Sequence, residues 1–106
     1  MTSLEDRAKG LENKYAHEEE LAFKAIARRN KLLGLWAAEK LGKTADEATA
    51  YAKDVVLVDF EEEGDADVIG KLLKDFFDAD IEISEKQVIA EMEKLLPIAK
   101  QQIMGS

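Results

Sequence analysis

The sequence predicts an all-α protein: a four-helix bundle-like domain with a long first helix and a mobile N-terminal arm. Three observations carry this. Apolar residues recur at helical spacings of three and four in four successive segments. Two capping boxes, Thr44-Ala45-Asp46-Glu47 and Ser84-Glu85-Lys86-Gln87, mark helix starts, since each pairs a hydroxyl and a side-chain carbonyl with otherwise orphaned backbone N–H groups. Gly42 and Gly64 stand where two of the segments stop, as glycine takes the left-handed closing conformation without strain.

From Leu21 to Leu41, Ala22, Ile26, Leu33, Ala37 and Leu41 form an inward face that Phe23, Leu32, Leu35 and Trp36 widen. Gly42-Lys43-Thr44 has the ending of a nucleotide-phosphate loop. That loop needs a glycine where Ala37 stands and a strand before it, so the tripeptide reads as helix punctuation. A second helix runs from Ala45 to about Glu62 with Ala48, Tyr51, Ala52, Val55 and Val58 inward. The run Val55-Val56-Leu57-Val58 favours a strand locally, but the capping box and the spacing on both sides favour helix. Asp65 is placed to cap a third helix carrying Val68, Ile69, Leu72, Leu73, Phe76 and Phe77. After a connector at 78–83, a fourth helix carries Val88, Ile89, Met92, Leu95 and Leu96. Pro97 has no N–H for the carbonyl of Glu93, so this helix is expected to kink or fray there.

A chain of 106 residues supports one small domain with a single core. It holds no apolar run of about 18 residues and no basic-then-apolar leader, so neither membrane insertion nor secretion is expected and a cytoplasmic location is the default. Cysteine is absent. The net charge of −8 argues against nucleic acid as a partner. Charge is uneven: residues 1–20 carry −3, residues 21–43 carry +5, and residues 44–106 carry −10. This basic belt either packs near the domain's own acidic remainder or meets the acidic surface of a partner.

Residues 3–20 differ from the rest. Leu4, Ala8, Leu11 and Tyr15 make a narrow apolar stripe with charge on the other faces. Helix extending from Ser3 to Leu41 would measure roughly 55–60 Å, against a diameter of about 33 Å for a compact domain of this size. The chain must fold back or its front end must project. A projecting segment of this length is marginally helical alone, Gly10 weakens it, and Glu18-Glu19-Glu20 interrupts the stripe. Residues 1–20 are therefore expected to form an arm, with residues 1–17 mobile in isolation and helical against a partner, ahead of a helical domain at 21–106.

Catalytic chemistry is poorly represented. There is one histidine, and of the serines at 3, 84 and 106, Ser84 already serves as a cap, so no hydrolase triad and no cofactor are expected. Asp65-x-Asp67 and Asp78-x-Asp80-x-Glu82 have isoleucines at positions a calcium loop needs for ligands or glycine, and read as solvated turns. His17 among carboxylates either senses pH or does nothing. Trp36 is expected in the core or as a partner anchor, and Gly34 to permit close helix packing. Arg28-Arg29-Asn30-Lys31 reads as solvated side chains supporting the bundle.

Residues 6–42, "DRAKGLENKYAHEEELAFKAIARRNKLLGLWAAEKLG", together with "YAKDVV" at 51–56 and "DFEEEGDADV" at 59–68, resemble the zeta-type inhibitor subunit of alphaproteobacterial F-type ATP synthases. Gly10 and Leu11 stand where that family usually has alanine and an aromatic. The resemblance implies a non-enzymatic protein, monomeric when free, whose arm enters a catalytic interface of the synthase head formed by alpha, beta and shaft subunits. There it blocks ATP hydrolysis more than synthesis, which places the protein at the inner membrane through the synthase. By motif match it assigns Asp6, Arg7, Lys9, Lys14, Tyr15 and His17 to the inhibitory arm, beside the stripe residues Leu4, Ala8 and Leu11. Phe23, Arg28, Arg29, Asn30, Leu33 and Trp36 fall in the segment that binds the partner or joins arm to bundle. A helical adaptor with a different partner, or a weak adenine-nucleotide binder, are the alternatives.

Overall fold

The computed structural model describes residues 3–61 and 65–105, with side chains described for residues 20–58 and 65–105. Four helices follow one another: α1 (Ser3–Lys40), α2 (Ala45–Glu61), α3 (Asp65–Asp78) and α4 (Glu85–Met104). Among the described residues there is no strand, and the valine-rich run lies within α2. Local β preference yields there because Val55 is fully buried against the other helices.

Two of the three helix junctions have a local chemical cause. After α1, Gly42 at φ 74° closes a Schellman turn: its N–H donates to the Glu39 carbonyl at 3.1 Å, and the Lys43 N–H donates to Ala38 at 3.0 Å. Both halves of the Thr44 capping box then form. The Thr44 N–H donates to Glu47 Oε1 at 3.0 Å and the Glu47 N–H to Thr44 Oγ1 at 3.3 Å. These bonds hold the Glu47 carboxyl below the usual carboxylate range. The end of α3 repeats the Schellman pattern without glycine: Asp80 takes φ 59°, its N–H reaching Phe77 at 3.1 Å while the Ile81 N–H reaches Phe76 at 2.8 Å. Ile81 packs against the core as that motif requires. Ser84 caps α4 with its own box, donating from its N–H to Gln87 Oε1 at 2.8 Å and accepting the Gln87 N–H at 3.2 Å.

The core lies between α1 and the other three helices. Leu33, Val55, Val68, Leu72, Phe76 and Val88 are fully buried, and Trp36 packs edge-on to Phe76 with ring centroids 5.9 Å apart. Gly34 sits where α1 crosses α2; a Cβ there would lie 2.6 Å from the Ala52 Cα, so the close crossing exists only because the side chain is missing. Tyr51 of α2 donates its hydroxyl to Asp75 of α3 at 2.6 Å, and Lys71 reaches the same carboxylate oxygen at 3.2 Å while lying over the Tyr51 ring. Burial, reinforced by Asp75, raises the Tyr51 hydroxyl far above its ordinary range.

Several expectations need correction. Ala22, Phe23 and Ile26 are exposed rather than inward, and the α1 face that is buried carries Ala25, Arg29, Asn30 and Ala38 alongside Leu33 and Ala37. Phe77 is 81% exposed, and Ile89 also faces solvent. α4 continues seven residues past Pro97, because Ala99 beyond it is fully buried and holds the last turns against the domain. Residues 1–17 are expected to be mobile in isolation; their side chains lie outside the described residues. The backbone of α1 is one helix of 38 residues, roughly 57 Å long, nearly twice the ~30 Å of α4. It sets the longest dimension of a chain measuring 65 × 25 × 22 Å, with a radius of gyration of 17.4 Å. A compact chain of this length would have about 13 Å.

Candidate functional site

The residues expected to form the arm, Leu4, Asp6, Arg7, Ala8, Lys9, Leu11, Lys14, Tyr15 and His17, lie on α1, and their side chains are outside the described residues. The second group, Phe23 to Trp36, is fully described, and it separates into two populations.

The first population is interior. Leu33 and Asn30 are fully buried, Arg29 is nearly so, and Trp36 is half-buried. The Arg29 guanidinium donates to Asp65 at the start of α3 through two bonds, at 2.6 and 3.4 Å. It also donates to Asn30 Oδ1 from Nε at 3.2 Å and from Nη2 at 2.9 Å. Asp65 places negative charge in the first turn of α3, favourable to that helix end, and couples it to α1. The expectation of solvated side chains fails for Arg29 and Asn30: the guanidinium is buried because a carboxylate 36 residues later in the chain and a neighbouring amide satisfy it. The turn reading of Asp65 changes with it, from a solvated acid to an ion-pair partner.

The second population faces solvent. Phe23 is 55% exposed, and Arg28 is half-buried with its guanidinium bonded to Gln102 of α4 at 3.0 Å. Two neighbours that motif matching does not select, Lys24 and Lys31, are also exposed on this part of α1. The signal for them was available in the basic belt of residues 21–43. Part of that belt is neutralised within the molecule, through Arg29–Asp65 and Lys24–Glu20. Lys43 lies over the Tyr51 ring, 5.4 Å from its centroid.

Among the described residues no group of three or more acidic or histidine side chains is placed to hold a metal ion. None of their helices is long and apolar enough to cross a membrane. The described surface thus offers a helix with an exposed aromatic and basic face, held to the bundle by a buried polar cluster just beneath it.

Comparison with known proteins fits this arrangement. A protein solved by solution NMR is 54% identical to the chain, over 78% of this chain and 94% of its own length, with a TM-score of 0.68. None of the curated proteins compared with the chain matches it. The family model described as ATPase inhibitor subunit zeta matches residues 1–102. The chain belongs to the ATPase inhibitor subunit zeta family.

Proposed function

We propose that the protein is a non-catalytic inhibitor of ATP hydrolysis by the F-type ATP synthase, with residues 1–20 as the inhibitory arm and residues 21–106 as the domain that presents it. The observation that carries this reading is that the family match spans residues 1–102, and that α1 runs through arm and domain as one helix. The arm enters a catalytic interface of the head, beside the shaft, where alpha and beta subunits must open and close on every turn. A helix wedged there needs an apolar edge and a few charges, and no reactive group. Leu4, Ala8, Leu11 and Tyr15 supply the edge; Asp6, Arg7, Lys9, Lys14 and His17 supply the polar contacts.

Energetics set a condition on the complex. An isolated arm of this length is marginally helical, and ordering some fifteen residues costs on the order of 15–30 kcal/mol before any contact is counted. The stripe must therefore be deeply buried in the interface, as helices laid into grooves bury their anchors. The interior residues Arg29, Asn30, Leu33 and Trp36 act at the junction, fixing the direction in which α1 leaves the bundle. The free protein is a monomer and meets the synthase on its cytoplasmic side.

The stripe is tested by Leu4→Asp combined with Leu11→Asp. Inhibition of the purified head should weaken by at least tenfold while the thermal midpoint of the bundle stays within a degree or two of the parent. Undiminished potency would remove the stripe from the mechanism.

A further inference from the structure

Between the arm and the core, Lys24, Arg28 and Lys31 follow one another at spacings of four and three. They therefore share one face of α1 over about two turns, roughly 10 Å of helix. With Val56 of α2 and Ile103 of α4, this face lines an open groove of about 550 Å³ that also exposes Phe23 and Ala27. The bases stand in different states. Arg28 is fixed by its bond to Gln102. Lys24 pairs with Glu20 at 3.0 Å with both side chains more than half exposed, a pair that water and salt readily exchange. Lys31 is exposed and has no ion-pair partner among the described residues.

We propose that this groove is a second docking surface, and that its occupant is an acidic amphipathic helix of the synthase's catalytic head. The proposal rests on the inhibitory reading above. A row of bases beside an apolar strip complements a helix carrying acids at i, i+4 and i+7 with apolar residues on the adjoining face. The apolar face meets Phe23, Val56 and Ile103, and the acids meet Lys24, Arg28 and Lys31. Residues 44–106 carry −10, so the attraction for an acidic helix is confined to the groove's own bases. Continuity supports a partner in the head: Phe23 and Lys24 begin within one turn of the arm's last residue on the same helix, so arm and groove address one neighbour. The exposed bases act mainly on encounter, raising the association rate through short-range attraction at the groove that salt screens.

The test uses the full chain and the purified head, with association and dissociation rates measured at low and high salt. Lys24→Glu combined with Lys31→Glu should slow association at least tenfold at about 20 mM salt, with the gap closing near 0.5 M, while the thermal midpoint is unchanged. The Leu4→Asp, Leu11→Asp chain should lose inhibition yet still bind the head weakly, and adding the two charge reversals should abolish that residual binding. Unchanged association rates and salt response in the charge-reversed chain, with inhibition intact, would overturn the groove and leave the inhibitory reading standing. Salt-sensitive, groove-dependent binding without inhibition by the parent chain would uphold the groove and overturn the inhibitory reading instead. Saturable shifts of the Lys24 and Lys31 amides with ADP alone, coupled with head binding indifferent to charge reversal, would give the groove to a small anion and refute the proposal.

Discussion

The crossing of α1 and α2 at Gly34 allows one substitution to be made at two glycines with opposite expected signs. In Gly34→Ala the new Cβ would stand 2.6 Å from the Ala52 Cα and 3.2 Å from both the Ala52 Cβ and the Val55 Cγ2. Carbon atoms are best about 3.5–4.0 Å apart, and the nearest obstacle is backbone, so the helices must part by roughly 1 Å. Overpacking of this kind costs about 1–3 kcal/mol, against roughly 0.8–1 kcal/mol regained because alanine is the better helix former. The net expectation is a loss of up to about 2 kcal/mol, a fall in thermal midpoint of up to roughly 15 °C. Gly70 lies within α3, exposed, with nothing within 4 Å of its would-be Cβ. Only the propensity effect acts there, so Gly70→Ala should raise the midpoint by roughly 4–8 °C. Both variants are followed by circular dichroism during heating. A Gly34→Ala midpoint at or above the parent's, beside a raised Gly70→Ala midpoint, would show that the helices are not packed through that glycine.

The other expectations concern the buried cluster and the caps. Arg29→Ala should cost about 2–4 kcal/mol, because it strands the Asn30 carbonyl and opens space beneath α1. Asp65→Ala should cost a comparable amount, about 3 kcal/mol, since it leaves the buried Arg29 guanidinium without its counter-charge although water reaches the exposed side of the pair. Denaturant titration measures both, and a loss below about 1 kcal/mol for Asp65→Ala would mean that water and Asn30 alone satisfy the guanidinium. For Glu47, the folded-state value is lowered by its bonds at Thr44, so its contribution is present above the unfolded carboxylate range and fades as pH falls through the folded value. Glu47→Gln should therefore lose less midpoint than the parent between pH 6 and pH 3, and parallel acid profiles would mean that the box adds no pH dependence.

The helix boundaries were legible because they are written locally. A hydroxyl three residues before a glutamate or glutamine, and a glycine able to take φ 74°, act within one turn and need nothing from the rest of the chain. The end of α3 was less visible, as Asp80 occupies the left-handed position where glycine is the expected signal. The buried face of α1 was harder still. Periodicity selects Ala22 and Ile26, yet the helix packs against both α2 and α4, and its inward side includes Arg29 and Asn30. Two polar side chains become interior only when Asp65, on another helix, supplies a partner, and no spacing rule on α1 encodes that. For the same reason Arg29 and Asn30 are interior, while Phe23 and Arg28 keep exposed surface. Lys24 and Lys31 were hidden in a motif that drew attention to its arginines, though the belt's charge already marked them.

The central claim is that residues 1–17 are the inhibitory element and the bundle is their mount. ATP hydrolysis by the purified synthase head, titrated with the full chain and with a chain lacking those residues, tests it most directly. Suppression by the full chain alone is the predicted result, and equal suppression by both would contradict it.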